Sequence, residues 1–152
     1  MYKSFIVLVF VVSMFSGCAS VPMESKDLSA KAKEFNAPSE GTSGLYIYRT
    51  SGVGSALKKD IWVDDKCIGE TAPEMFFYEE VEGNQEHKIS TESEFSPNEL
   101  LVTTESGKNY FIKQFIKMGV FVGGANLELS SIEQGKKDLS EIDMAIKGNC
   151  SK

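Results

Sequence analysis

From Leu45 onward the chain is divided into short runs of aromatic and β-branched residues, each closed by Gly, Pro, Asn or Asp at intervals of about ten residues. That spacing leaves few folds open. The runs are 45–49, 60–63, 66–71, 75–81, 87–91, 99–104 and 110–116. Side chains alternate across a strand, so Ile61 and Val63 share a face, and Asp64-Asp65 suits the two-residue turn of a hairpin. Ala72-Pro73, 82–85 and 106–109 punctuate the remainder. A chain of this pattern is expected to be mainly β: a small antiparallel β-sandwich or partly open barrel.

The end of the chain reads differently. Residues 118–124 are apolar and glycine-rich, and Gly119 and Gly123 form a GxxxG pair in a stretch far too short to cross a bilayer as a helix. They read as a bulged or closely packed strand, with a self-association surface as the alternative. Ser130 and Ser131, followed by Glu133 and Gln134, offer overlapping helix-capping boxes, and Asp138 with Glu141 offers another. Leu139, Ile142, Ala145 and Ile146 then share one helical face up to Gly148, so a C-terminal helix packed on the sheet is expected.

Ahead of the β-rich domain, 44–149, lie two segments of other character. Residues 1–17 combine Lys3, an apolar run from 5 to 15 broken only by Ser13, and the small residues Ser16 and Gly17. Eleven residues cannot span a bilayer core of about 30 Å as a helix, so a cleaved export signal is expected rather than a retained anchor. Residues 18–43 shift to Ser, Lys, Glu, Ala, Pro and Gly, a composition that buries little apolar area and reads as a flexible tether of roughly 25–30 Å. Within it Leu28, Ala32 and Phe35 line one face of a short helix over 27–35, which either docks on the domain behind it or binds a partner.

Composition excludes several functions. The 152 residues carry 16 Lys and Arg against 22 Asp and Glu, net −6, and removal of Lys3 with the signal makes the remaining 135 residues −7. Nucleic acid is therefore not expected as a partner, and the acidic domain offers no evident membrane-binding surface of its own. The loop at 50–55 lacks the spacing of a phosphate loop, and Asp64-Asp65 lacks the ligand run of a calcium loop. His87 is the sole histidine and has no GxSxG serine to serve. Cys67 and Cys150 lack zinc-ligand spacing; in an exported chain they are candidates for a disulfide worth about 2–4 kcal/mol, or else two free thiols. Glu79, Glu80, Glu82, Glu92 and Glu94 read as a solvated strand face rather than a glycosidase pair. Tyr46, Tyr48, Trp62, Phe76 and Tyr78 either fill the core or stand together on one face, where Tyr46, Tyr48, Trp62 and Tyr78 form the candidate binding surface. No catalytic residue, metal or cofactor is expected.

Two stretches carry resemblances. Phe15-Ser16-Gly17-Cys18 is similar to the lipobox of bacterial lipoproteins, departing from it at Phe15, where Leu is usual. The resemblance implies cleavage before Cys18 and lipid on its sulfur and amino group; Ala19-Ser20, with no Asp, implies the outer membrane, facing the periplasm. Val63-Asp64, Ile68 to Pro73, Val81-Glu82-Gly83 and His87-Lys88-Ile89 resemble a PEGA-type β-sandwich hairpin. Across nearly the whole mature chain, 32–35, 44–49, the hairpin, 107–111 and 117–119 resemble the lipoprotein family catalogued as domain of unknown function 2846, with departures at Asp65 and Asn84. This resemblance implies a lipid-anchored envelope protein and supplies no activity. The expected function is a non-catalytic binding or structural module held to the membrane through lipid on Cys18, with another envelope protein or a cell-wall component as partner. The alternatives are a glycan- or peptidoglycan-binding module and an envelope hydrolase.

Overall fold

In a strand, Leu45 and Ile47 must point to one side and Tyr46 and Tyr48 to the other, and in this chain both sides are buried. This double burial organises the computed structural model, which describes residues 17–151; the expected signal peptide, 1–17, lies outside them except for Gly17. The elements are α1 (Lys26–Ala32), β1 (Thr42–Arg49), β2 (Lys59–Val63), β3 (Lys66–Thr71), β4 (Met75–Glu82), β5 (Glu86–Thr91), β6 (Asn98–Thr103), β7 (Asn109–Lys117), β8 (Gly124–Ser130), α2 (Ile132–Ser140) and β9 (Asp143–Met144). The fold is mainly β and sandwich-like, with one sheet ordered β8-β7-β1-β4-β9 and the other β3-β2-β5-β6. β1 runs antiparallel to β4 but parallel to β7, and β9 lies parallel to β4, so the first sheet is mixed.

Two cores follow from the pleat of the first sheet. Between the sheets, Leu45, Ile47, Phe77 and Ile112 meet Ile61, Val63, Ile68, Ile89 and Val102 in an aliphatic core. On the outer face, Tyr46, Tyr48, Phe76 and Phe111 form an aromatic layer capped by Leu139, Ile142, Ala32 and Phe35. Tyr46 stacks on Phe111 at 5.1 Å and meets the Phe35 edge at 5.3 Å. Each such ring contributes about 1.5–3 kcal/mol by burial, with a further increment from ring contacts. Gly135 lets α2 lie flat on this layer, since a Cβ there would collide with the Phe111 ring.

The hairpin turn falls on Asp64-Asp65, with φ 49° and 63°, the left-handed pair that a two-residue turn requires. Asp tolerates this region less well than Gly, but its carboxylate gives something in return. Asp64 accepts from the Lys88 amide at 2.9 Å and faces His87 Nδ1 at 2.6 Å, tying the turn to β5.

Three segments depart from expectation. Residues 18–43 are not a free tether. Ala19 N donates to Ser55 O, Glu24 N to Met144 O, and Ile146 N to Pro22 O. Helix α1, capped by Ser25, sits on the aromatic layer with Phe35 in a left-handed turn at φ 54°. Its average composition is polar, but Ala32 and Phe35 meet an apolar sheet face that composition does not reveal. Residues 118–123 form a loop, with β8 starting only at Gly124. The C-terminal helix is capped by Ser131, whose Oγ accepts from Gln134 N, and ends at Ser140. Residues after it instead satisfy the free edge of β4, where Ala145 N donates to Phe76 O at 2.8 Å. The chain then runs on as a strap: Gly148 N bonds Ile68 O, and Ser151 N bonds the buried Asp60 carboxylate.

Candidate functional site

Cys18 is exposed and carries a free thiol at the start of the described chain. Its neighbour Ala19 is pinned to the loop after β1, and that loop is held in turn by a buried arginine. The Arg49 guanidinium donates to Gly54 O and Leu57 O, both at 2.6 Å, so its charge is met by carbonyl dipoles; burial lowers its pKa. The end of the chain nearest Cys18 is thus built into the domain rather than suspended from it.

The candidate aromatic surface is not assembled. Tyr46 and Tyr48 are buried, because β1 is the central strand of its sheet and is covered on both faces. Tyr46 Oη donates to Ala32 O at 2.8 Å, and Tyr48 Oη donates to Asp138 at 3.0 Å beside Ser130. Burial, reinforced by nearby carboxylates, pushes both phenols up to about 12. Tyr78 is half-buried next to Tyr46 and donates to Glu80 at 3.0 Å. Trp62 lies on the other sheet, half-buried in a shallow recess with Phe95 and Pro97. Three of the four therefore share the covered aromatic layer, and Trp62 stands apart on the other sheet.

The remaining sequence candidates have defined partners. Cys67 and Cys150 are joined in a disulfide with their Cα atoms 6.0 Å apart, closing the strap onto β3. His87 is buried between the Asp64 carboxylate and the Glu82 carbonyl, to which Nε2 donates at 2.7 Å. Burial raises the Asp64 pKa, but His87 and the Lys88 amide outweigh it and hold the carboxyl below its ordinary value. Glu79 pairs with Lys66 and Lys147, Glu92 with Lys59, and Glu80 accepts from Tyr78, Thr42 and the Ser39 amide. Among the described residues no cluster of three or more His, Cys, Asp and Glu is gathered for a metal, and no helix is long and apolar enough to cross a membrane.

One feature was invisible in the sequence. A groove of about 550 Å³ opens between β7, β8 and the start of α2, lined by Tyr110, Leu129, Ile132, Lys108 and Lys136. Leu129 and Ile132 are exposed, Lys108 pairs with Glu105 at 2.6 Å, and Asn109 Oδ1 is buried without a hydrogen bond. The groove offers an apolar floor with a lysine rim, suited to a peptide or another apolar group bearing negative charge.

The sandwich and its covering segments define a class of protein by comparison as well as by shape. Residues 39–125 match the family model described as a protein of unknown function (DUF2846), more than half of the chain, and the chain belongs to that family. The match begins just before β1 and ends within β8, leaving α1, α2 and the strap outside it. A protein of Haemophilus influenzae, described as an uncharacterized protein, is 58% identical over 139 residues, which cover 91% of this chain and 82% of that protein. No solved structure matches the chain.

Proposed function

We propose that the chain is a lipid-anchored lipoprotein of the cell envelope whose β-sandwich is a non-catalytic binding or structural module. The observation that carries this reading is Ser16-Gly17-Cys18 at the end of an eleven-residue apolar run, with the Cys18 thiol exposed. A run of that length suits a cleaved signal, and acyl chains on the cysteine would hold the domain firmly once two or more are present. Export into an oxidising compartment agrees with the Cys67–Cys150 disulfide. Ala19-Ser20 favours the outer membrane, facing the periplasm. The non-catalytic part of the reading rests on His87 and the glutamates, each engaged in holding a turn or a strand. The groove beside α2 is the surface we assign to a partner, another envelope protein or a cell-wall component. Glycan binding is the weaker alternative, since burial of Tyr46 and Tyr48 leaves Trp62 without its expected neighbours.

Labelling cells with a palmitate analogue tests the anchor. The wild-type chain should take up label and sediment with membranes, whereas Cys18→Ser should be unlabelled, unprocessed and shifted in gel mobility. A Cys18→Ser chain that stays in the membrane fraction with unchanged mobility would overturn the reading. Crosslinking in intact cells tests the module: a captured protein supports partner binding, while retention on isolated sacculi without a protein partner supports the cell wall.

A further inference from the structure

Three loops meet at the end of the sandwich where Cys18 leaves the domain, and they carry apolar side chains into solvent. They are the loop after β1, the loop after β5, and the β7–β8 connection at 118–123. Gly54 packs so close to Ile116 that a Cβ there would lie 2.7 Å from its Cγ2, and Gly123 is likewise set against Leu57. Beyond this packed base, Met118 and Phe121 are 84% and 82% exposed, and Val53, Phe95, Val120 and Val122 stand out with them.

Three successive amides of the 118–123 tip are already satisfied. The Glu94 carboxylate accepts from the amides of Val120 at 2.6 Å, Phe121, and Val122 at 3.3 Å. A loop tip that enters a low-dielectric phase must keep its peptide groups paired, because an unpaired N–H costs several kcal/mol there. Glu94 thus turns its charge inward to the amides and leaves a tip that is apolar on the outside. Lys117 is exposed next to it, with a stem long enough to keep its ammonium at headgroup level.

The opposite end carries the groove, with Leu129 and Ile132 at its floor, and its turns are charged. About 26 Å away along β7, by strand rise, lie the turns carrying Asp64, Asp65, Glu82, Glu86 and Glu105. The Ala19 N to Ser55 O bond places Cys18 one residue from the apolar end and not from the acidic one. Acyl chains on Cys18 would enter the bilayer beside Val53.

We propose that the 118–122 tip, with Val53 and Phe95, is a membrane-contact surface that rests in the lipid interface next to the anchor and sets the domain upright, its groove facing away. The proposal rests on lipidation of Cys18. It names phospholipid as the occupant because the anchor brings the bilayer to this face; a second copy of the chain or another protein covering it is the competing outcome.

The test uses the lipidated chain carrying Phe121→Trp in a Trp62→Phe background, reconstituted in phosphatidylethanolamine–phosphatidylglycerol vesicles containing acyl-chain-brominated phosphatidylcholine. Uptake of a palmitate label on the same preparation reads the anchor separately. The expected result is a blue-shifted tryptophan at 121 quenched by about half or more, while a tryptophan at Glu105 stays unquenched. A labelled protein with an unquenched tryptophan at 121 overturns the contact and leaves the anchor standing. A blue shift that depends on protein concentration and not on brominated lipid assigns the face to a second copy, which also overturns it. Absence of palmitate label overturns both. If Trp62→Phe does not fold, the Phe121→Trp chain is measured with Trp62 retained and the wild-type emission subtracted.

Discussion

The two cores on either side of the first sheet are built from different parts of the chain. The aliphatic core is filled by strands facing strands, nearly all within residues 39–125, the span shared with the family. The aromatic layer is made by those strands but covered by α1, α2 and the residues after α2, mostly outside that span. Its lid is held by polar bonds at its margins: Lys33 Nζ to Ile142 O at 3.0 Å, Asn109 Nδ2 to Asn36 O at 3.0 Å, and Asp143 accepting from Lys26 and Ser29. The difference teaches that the space between the sheets is filled almost entirely by the strands themselves, while the outermost face depends on terminal segments that look, by composition, like linkers.

The largest effects should come from emptying each core. Ile47→Ala and Phe111→Ala are each expected to cost about 2–5 kcal/mol in denaturant unfolding. They should differ in where the damage shows: hydrogen exchange in α1 and α2 should quicken far more for Phe111→Ala. Equal quickening in both variants would break the distinction between core and lid.

Next comes the disulfide, which ties the strap to the sandwich across 83 residues of sequence. Reduction should cost about 2–4 kcal/mol, a fall in Tm of roughly 10 °C for a domain of this size, with β9 and the strap exchanging first. Thiol labelling of a folded, unreduced Cys18→Ser chain should find no reactive cysteine. Two labelled thiols would show the strap to be unlinked.

The smallest effect should come from Asp143. The Lys26 ammonium, against an opposing effect of burial and aided by Ser29 and Lys33, lowers its carboxyl below the ordinary 3.8. Because the folded value is the lower one, the stabilisation is fully present above about pH 3.8 and is lost as pH falls through the depressed value. The group is partly exposed, so its worth at pH 7 is under about 1 kcal/mol. Acid titration followed by far-UV circular dichroism should show α1 loosening below pH about 4, and Asp143→Asn should move that loosening into the neutral range. An α1 that stays ordered at pH 7 in that variant would show the lid to be held by packing alone.

How much was legible follows the range of the interactions. The hairpin turn at Asp64-Asp65 and the Ser131 cap were readable because turns and caps are settled by neighbours in sequence. The helix end was not, since pairing of Asp143 and Ala145 with β4 competes with continuing the helix, and only the folded sheet offers that edge. Tyr46 and Tyr48 could be placed on one face of one strand; whether that face was wet depended on helix residues such as Ala32 and Asp138, 14 and 90 residues distant in sequence. The groove depends on how α2 leaves β8, a geometry no local pattern encodes.

By itself the sequence determined the strand rhythm, the acidic balance, and the apolar run before Ser16-Gly17-Cys18, because each resides in composition or in contacts between near neighbours. The tertiary structure alone decided that β1 is covered on both sides, that Cys67 meets Cys150, and that residues 19–36 lie on the domain. It also gathered Val53, Phe95 and Phe121 at one end of the sandwich, the end to which Ala19 is bonded. Those outcomes depend on which surfaces meet when long-range contacts form, and a polar segment with two well-placed apolar residues is sufficient to cover a sheet.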